Sequence, residues 1–262
     1  MPILRVSVAQ MNVRTGDPRA NWATAQAFIE EAASRGSNLV VLPELWDNGF
    51  ALDKAKEMAS ALAGGLFAQV ATLAKAKNIC VLGSMLEKRG ISVYNSAAVF
   101  TPFNGVIGVY RKIHLFGPME EPTYLSAGEA PLTVDLPWGR TSIAICYDLR
   151  FPELLRRYAV EGAKVLVLPA EWPEPRLNHW RKLIQARAIE NQYFVIACNR
   201  VGVSGDLKYF GHSMIVDPWG ELVFEAGSAE TLVTLDINVD EADEVRERMP
   251  ILQDRRPHLY TT

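Results

Sequence analysis

Apolar and polar positions along the chain follow two periods, and together they predict strands and helices in a repeating order. The run ILRVSVAQM is typical of a strand. Asp17 and Pro18 then supply an N-cap and a first helical residue for a helix that ends near Gly36. The continuous apolar run NLVVLPEL that follows is typical of a strand buried on both faces. The first unit is therefore predicted to be strand, helix, strand.

The second half of the chain repeats this order. TSIAIC is predicted to be a strand, Pro152 begins a helix that ends at Gly162, and KVLVLPAEW is a second buried strand. In each half the second strand is predicted to end in Leu-Pro and is followed by a glutamate, Glu44 in the first half and Glu171 in the second. This pattern indicates an internal pseudo-repeat. The alternative is a chance match, because strand-helix-strand units are common.

Further patterns predict additional helices and strands between and after these units. The helices are expected from Asp53 to Ala76, with a break near Gly64-Gly65, and from Pro175 to Asn191. The predicted strands are NICVLGSML, the run from Tyr94 to Phe100, GVIGVYR, YFVIACN, GHSMIVD, ELVFEA and TLVTLDI, with turn signals at FNG and DPWG. Strands with interspersed helices and no flexible linker predict one α/β domain over residues 1–262 with two sheets. Residues 249–262 show no periodicity and are predicted to form an extended tail, on the body or on a partner subunit.

Composition and charge exclude several classes of protein. The 262 residues are 49% hydrophobic and 22% charged, with a formal net charge of −3, as in an ordinary globular protein. The 27 Lys and Arg residues form no basic block, so neither nucleic acid nor an anionic membrane is an expected partner. No apolar run approaches the roughly 20 residues of a membrane span. MPILRVSVAQ lacks the features of a secretion signal, so a cytoplasmic location is expected.

The cysteines and histidines do not indicate a disulfide framework or a metal site. Three cysteines are too few for a framework, and no pair has Cys-x-x-Cys spacing. The four histidines include no His-Glu-x-x-His arrangement. We therefore expect free thiols, no metal and no cofactor.

Three reactive side chains follow predicted strands, where ligands bind in open α/β sheets: Glu44, Lys112 and Cys146. Each has a simpler interpretation, because Glu44 could cap a loop and Lys112 could be a solvated surface charge. A lone Cys is also more often a buried core residue than a nucleophile. Cys80 and Cys198, both inside apolar runs, fit that core interpretation. Cys146 differs because a polar, helix-initiating turn follows it, whose unpaired N–H groups suit a thiolate.

Taken together, the three residues resemble the Glu-Lys-Cys triad of the nitrilase or carbon-nitrogen hydrolase family. The segments that carry the resemblance span nearly the whole chain: LPEL, YRKIHLFGPMEE, ICYDLRFPEL, AEWP, HWRKLIQARAIENQ, NRVG and GHSMIVDPWGE. The resemblance implies a four-layer αββα sandwich of two mixed β-sheets. Members of the family usually pair subunits through helices and exchange C-terminal tails, so a homodimer or higher homo-oligomer is expected.

The resemblance also implies a role for each reactive residue. Cys146 would attack an amide carbon and form a thioester, and Glu44 would act as the base. Lys112 and the backbone N–H of Tyr147 would stabilise the oxyanion. A second glutamate lies eight residues after the lysine in amidases of the family. That residue is Glu120 here, and it would position the substrate or hold Lys112.

The substrate is indicated by residues around and after the cysteine. Arg150 stands where carbamoylases of the family carry an arginine that binds a substrate carboxylate; alternatively, it pairs with Asp148, Glu153 or another buried acid. CYDLRFPEL, AEWP and GHSMIVDPWGE look most like the omega-amidase branch, which hydrolyses the terminal amide of 2-oxo acid monoamides such as 2-oxoglutaramate. Glu171 and Trp172 would line the pocket by analogy with Glu44.

Other functions remain open at the level of sequence. A nitrilase proper, a carbamoylase or a deaminated-glutathione amidase would carry the same triad. A non-catalytic binding member of the superfamily should have lost one of the three residues, and all three are present. A nucleotide-binding Rossmann module is disfavoured because no Gly-x-Gly-x-x-Gly follows the first strand.

Overall fold

The computed structural model describes residues 3–260. The first two residues of the chain and the last two residues of the predicted tail therefore lie outside the described residues. Within residues 3–260, no helix is both long and apolar enough to cross a bilayer.

The described part of the chain contains fourteen strands and seven α-helices. The strands are β1 (Ile3–Gln10), β2 (Leu39–Val41), β3 (Cys80–Arg89), β4 (Ser92–Thr101), β5 (Gly105–Arg111), β6 (Leu132–Leu136), β7 (Gly139–Ile143), β8 (Val165–Ala170), β9 (Phe194–Asn199), β10 (Val201–Ser204), β11 (Leu207–Phe210), β12 (Met214–Val216), β13 (Leu222–Glu225) and β14 (Thr231–Asn238). The helices are α1 (Pro18–Ser34), α2 (Ala55–Met58), α3 (Gly65–Lys77), α4 (Glu121–Tyr124), α5 (Pro152–Val160), α6 (Leu177–Asn191) and α7 (Glu241–Arg248).

Two six-stranded mixed sheets have the same internal arrangement. Their strand orders are β14-β1-β2-β3-β4-β5 and β6-β7-β8-β9-β12-β13, and β10 and β11 form a separate hairpin. In each sheet the second, third and fourth strands are parallel to one another, the first and fifth are antiparallel to them, and the sixth is antiparallel to the fifth. The predicted pseudo-repeat is confirmed, because β2 and β8 are equivalent central strands of the two sheets.

Alternation of side chains along the strands separates two buried layers. In β2, Leu39 and Val41 point into a core that both sheets share, whereas Val40 points to the outer face of the first sheet. That outer face packs against apolar residues of α1 and α3, such as Ile29 and Phe67. The outer face of the second sheet packs against α5 and α6. The molecule is thus the predicted four-layer αββα sandwich.

Several elements differ from the sequence prediction. The break predicted near Gly64-Gly65 within Asp53–Ala76 is present but longer, because turns and a bridge at residues 59–64 separate α2 from α3. Strand β6, the β10-β11 hairpin and α7 were not predicted. Helix α7 buries only Ala242 and Val245, so its sequence carries little apolar periodicity. After it, residues 249–260 form turns and a short 3-10 helix, and Leu259 is exposed; the contact of this tail with a partner stays a prediction.

Candidate active site

Cys146 lies at the first position of a 3-10 helix, Cys146–Arg150, that follows β7. Its backbone has a φ of 45°. This is the left-handed region, which residues other than glycine adopt infrequently. Its side chain is largely buried, with 8% of the residue exposed. A strained backbone at a residue of this type, on a turn between strand and helix, indicates a functional constraint.

The carboxylate of Asp148 holds the turn at Cys146 in place through hydrogen bonds. Its buried Oδ2 accepts hydrogen bonds from the backbone N of Ile145 at 2.9 Å and from the hydroxyl of Tyr110 at 2.7 Å. Its Oδ1 accepts from the backbone N of His114 at 3.1 Å, and the Nδ1 atom of that ring lies 2.7 Å away. Because these contacts occupy both oxygens, Asp148 positions the turn. The alternative in which it pairs with Arg150 is wrong.

Glu44 follows β2 and is completely buried. Its Oε1 accepts from Lys112 Nζ at 2.7 Å and from Asn95 Nδ2 at 2.8 Å. Its Oε2 accepts from the backbone N of Glu171 at 2.9 Å. Three donors from three different segments therefore fix the orientation of this carboxylate. The contacts with Lys112 and Asn95 go beyond the simpler interpretation of Glu44 as a loop cap.

Lys112 follows β5, and its side chain is buried as well. Burial by itself would lower the pKa of the ammonium, but the carboxylates of Glu121 and Glu44 outweigh that effect. The net result is a raised pKa for Lys112, so the side chain is a permanent cation. The backbone N of Lys112 donates to the carbonyl of Asn95 at 2.9 Å, which holds it beside Glu44.

The second glutamate of the site is Glu121, and the prediction of Glu120 is wrong by one residue. Glu120 has a φ of 57° at the end of a 3-10 turn, and its side chain is exposed. Glu121 begins α4, is fully buried and binds Lys112 Nζ through Oε1 at 2.6 Å. Its Oε2 accepts from the backbone N of Phe116 at 2.6 Å. The left-handed conformation of Glu120 thus turns the chain so that only the next residue points inward.

Cys146 shares this buried environment with both charges. Burial raises the pKa of the Cys146 thiol well above its ordinary value, and the Glu44 carboxylate raises it further, while Lys112 acts in the opposite direction. The thiol therefore carries its proton at neutral pH, with a carboxylate adjacent to receive it. The structure brings together the three residues that the sequence singled out.

A cavity of about 320 Å³ opens in front of the cysteine. This volume includes space open to solvent, so the enclosed part of the cavity is smaller and suits a small ligand. Six predicted site residues line it: Lys112, Cys146, Tyr147, Arg150, Glu171 and Trp172. Among residues 3–260, no group of three or more His, Cys, Asp or Glu side chains is arranged to hold a metal ion.

Glu171 forms a second buried ion pair in the wall of this cavity. Its Oε2 accepts from Arg200 Nη1 at 3.0 Å, and both side chains are fully buried. Burial raises the pKa of Glu171 to about 8, although the charge of Arg200 opposes the change. Its other oxygen, Oε1, has no hydrogen-bond partner among the described residues.

Two arginines lie at the partly exposed end of the cavity, Arg150 and Arg176. The guanidinium carbon of Arg150 lies 4.7 Å from the ring centroid of Trp172, and that of Arg176 lies 5.5 Å from the ring centroid of Phe116. Neither guanidinium has a carboxylate partner within residues 3–260.

Sequence reasoning missed several residues of the site: Asn95, Glu121, Arg176 and Arg200. Glu121 was the direct neighbour of the predicted residue, and Arg200 stands in the segment NRVG that carried part of the resemblance. Asn95 gave no signal, because it is one polar residue in the strand YNSAAVF, and its role arises from the pairing of β4 with β5.

Comparisons with known proteins agree with this architecture. Residues 5–247 match the family described as carbon-nitrogen hydrolase. A protein of Bacillus subtilis named 2-oxoglutaramate amidase is 41% identical, over 97% of this chain and 98% of the relative. Omega-amidase NIT2 of Homo sapiens is 32% identical, over 99% of this chain and 98% of the relative.

Solved structures agree as well. A CN-hydrolase superfamily protein from Xanthomonas campestris, with an arsenic adduct in its active site, superposes with a TM-score of 0.91 at 34% identity, and 98% of each chain is covered. A mutant of an amidase from Nesterenkonia sp. AN1 superposes with a TM-score of 0.87 at 26% identity, over 98% of each chain. In that structure, acrylamide has been added at the active site cysteine. The family match and the full-length relatives show that this chain belongs to the carbon-nitrogen hydrolase family.

Proposed function

We propose that this protein hydrolyses the terminal amide of a small carboxylate-bearing amide, of the 2-oxoglutaramate type, through a cysteine thioester. The observation that carries the proposal is the buried contact of Lys112 Nζ with Glu44 at 2.7 Å, beside the thiol of Cys146. A base, a cation and a nucleophile at the floor of one small cavity are the groups that acyl transfer requires.

The first half of the reaction forms the thioester. Glu44 takes the proton of the Cys146 thiol as the sulfur attacks the carbonyl carbon of the amide. The carbonyl oxygen becomes an oxyanion, which the Lys112 ammonium and the backbone N–H of Tyr147 stabilise. Each such donor typically contributes about 3 kcal/mol in the transition state. Glu44 then returns the proton to the amide nitrogen, the C–N bond breaks, and ammonia departs.

The second half uses the same groups with water. Glu44 removes a proton from a water molecule, whose oxygen attacks the thioester carbon. The C–S bond then breaks, the sulfur recovers a proton from Glu44, and the carboxylic acid product leaves. Glu121 is the positioning residue of both halves, because its carboxylate holds the Lys112 ammonium at 2.6 Å.

Three observations support the substrate class. Relatives from Bacillus subtilis and Paenarthrobacter nicotinovorans are named 2-oxoglutaramate amidase. The enclosed part of the cavity beside Cys146 is small, which suits a short molecule. Arg150, which has no carboxylate partner within residues 3–260, lies at its partly exposed end, where a substrate carboxylate would find a bidentate donor. Trp172 holds the guanidinium plane of Arg150, and Glu171 completes the wall next to Glu44.

A comparison of substrates tests the proposal. Ammonia release is measured with 2-oxoglutaramate, with a carbamoyl amino acid and with an aliphatic nitrile. The highest kcat/KM is expected for 2-oxoglutaramate. Turnover of the nitrile alone would contradict the substrate class, and faster turnover of the carbamoyl compound would favour the carbamoylase alternative. The absence of turnover with every substrate would favour the binding-scaffold alternative.

We further propose that the chain is a single catalytic domain that forms a homodimer or higher homo-oligomer in the cytoplasm. Leu259 and Tyr260 are exposed in the segment after α7, which supports a tail that contacts a partner subunit. Three free, buried thiols support a reducing compartment. Light scattering at several concentrations, for the whole chain and for a chain ending at residue 248, tests the assembly.

A further inference from the structure

The guanidinium of Arg176 has no charged partner among the described residues. The backbone of this residue is fixed directly before α6, where its carbonyl accepts from Trp172 Nε1 at 3.2 Å and from the backbone N of Trp180 at 3.1 Å. Its guanidinium lies over the ring of Phe116, 5.5 Å from the centroid. Within the described chain, no side-chain hydrogen bond or ion pair engages that guanidinium.

Arg150, which lines the same cavity, is in a similar situation. Its guanidinium lies over the ring of Trp172. Its side-chain hydrogen bond within residues 3–260, between Nη2 and Nδ1 of His179, is long at 3.5 Å. Burial lowers the pKa of Arg150, and the charge of Arg176 lowers it further. Two like charges face one cavity and repel each other, which is unfavourable unless an anion lies between them.

Arg200 provides the contrast within the same wall. Its guanidinium is fully buried and bonded to Glu171 at 3.0 Å, as expected for an arginine with a structural role. All three guanidinium groups lie over aromatic rings, that of Arg200 4.2 Å from the centroid of Tyr209. Arg150 and Arg176 differ from Arg200 because neither has a carboxylate partner among the described residues. Stacking fixes the plane of a guanidinium and leaves the N–H groups at its edge available. Such an arrangement suits a ligand with two acceptor oxygens.

We propose that Arg176 is a specificity-determining residue that, together with Arg150, binds the far carboxylate of the substrate. The inference rests on the proposed function and extends it to a second arginine that lines the cavity. Lys112 and Cys146 are buried residues of the cavity lining, and the two arginines are partly exposed residues of the same lining. The site thus takes the amide at its floor and one oxygen of the carboxylate on each guanidinium, and it discriminates against neutral amides.

The test compares two substrates that differ only at the far end. Succinamate carries the carboxylate, and butyramide has a methyl group in its place. Arg176→Ala is expected to raise the KM for succinamate about 10- to 100-fold with little change in kcat, because a charged hydrogen bond is lost. Its kcat/KM for butyramide stays at the wild-type value. Arg176→Lys restores part of the loss, and the exposed Arg19→Ala serves as the control of equal charge.

A binding measurement separates this inference from the proposed function. Calorimetry with succinate uses Cys146→Ala and the double variant Cys146→Ala/Arg176→Ala. Weaker binding to the double variant supports the carboxylate site, even if the wild-type protein turns over no amide and the proposed function fails. Equal binding to both variants overturns the inference, even in a protein that hydrolyses 2-oxoglutaramate. Equal losses of kcat/KM for succinamate and butyramide also overturn it, because they indicate a structural role.

Discussion

Glu171 donates its backbone N–H to Oε2 of Glu44 at 2.9 Å, so two glutamates at equivalent positions of the two halves are in direct contact. Each follows the central strand of its sheet, and the carboxyl ends of these strands meet at the site, as in other α/β folds. Each glutamate also has its own cation. Glu44 binds the ammonium of Lys112, whereas Glu171 binds the guanidinium of Arg200. The two halves therefore have the same arrangement of strands, but a lysine lies beside the glutamate of the first half and an arginine beside that of the second.

Replacement of Cys146 by alanine is expected to abolish ammonia release, because the alanine variant has no nucleophile for thioester formation. Circular dichroism and thermal unfolding should show a folded protein. Cys198→Ala is the matched control, since Cys198 is equally a buried thiol but its Sγ contacts the carbonyl of Ala9, away from the cavity. The control should retain turnover. Ammonia release by Cys146→Ala would rule out the covalent mechanism.

Adjacent glutamates offer a second test. Glu121→Gln removes the charge that holds Lys112 Nζ at 2.6 Å, so the ammonium loses its orientation toward the oxyanion. We expect kcat for ammonia release to fall at least about 10-fold, with the fold intact. Glu120→Gln changes an exposed side chain and should leave kcat near the wild-type value. A larger loss in Glu120→Gln than in Glu121→Gln would restore the assignment made from the sequence.

The comparison of Glu120 with Glu121 shows which features of the site can be predicted from the sequence and which cannot. Apolar periodicity and the Leu-Pro sequences near strand ends were enough to predict both halves of the sandwich, because the burial of strands and helices follows from the spacing of apolar residues. The backbone conformation of a single loop residue decides which neighbouring side chain points inward, and no periodicity encodes it. The same holds for Asn95, whose contact with Glu44 depends on how β2, β3 and β4 pair in the first sheet.

The sequence alone also could not show whether Arg150 pairs with an acid. Two acids near it in the chain, Asp148 and Glu153, were equally plausible partners by spacing. The structure commits Asp148 to Tyr110 and to backbone N–H groups instead, which leaves the guanidinium free for a ligand. Such choices depend on distant segments, and they become visible only once the sheets are assembled.

Replacement of Glu44 by glutamine should separate nucleophilicity from turnover. Burial raises the pKa of Cys146, the Glu44 carboxylate raises it further, and Lys112 lowers it. Glu44→Gln removes the second of these contributions, so the pKa of the thiol should fall. We therefore expect the pH profile of Cys146 alkylation by acrylamide to move to lower pH, while kcat for hydrolysis drops about 100-fold or more because the base is lost.

Mass spectrometry of the adduct at a series of pH values provides the alkylation profile. Glu120→Gln is a suitable control, because its exposed carboxylate is not among the groups that act on the thiol. A profile that moves to higher pH in Glu44→Gln would contradict the electrostatic account of the site. Retained hydrolysis in this variant would remove Glu44 from the mechanism.

The raised pKa of Glu171 predicts a pH dependence of stability. Burial raises this pKa from 4.5 to about 8, so between these values the folded protein holds a proton that the unfolded chain has lost. The free energy of unfolding therefore decreases as pH rises through this window, by up to about 1.4 kcal/mol per pH unit from this group. The contribution of Glu171 is fully present below the lower value and absent above the higher one.

Glu171→Gln should remove this contribution, because glutamine resembles the protonated acid and does not titrate. Urea unfolding at about pH 5.5, 6.5 and 7.5 is expected to show the variant gaining stability relative to the wild-type protein at each step. Asp47, whose pKa burial raises to about 7, is present in both proteins, so most of its contribution cancels in the difference. Glu153→Gln, at an exposed carboxyl, is the control. A stability difference that stays constant with pH would mean that Glu171 is ionised throughout this window and that the charge of Arg200 outweighs burial.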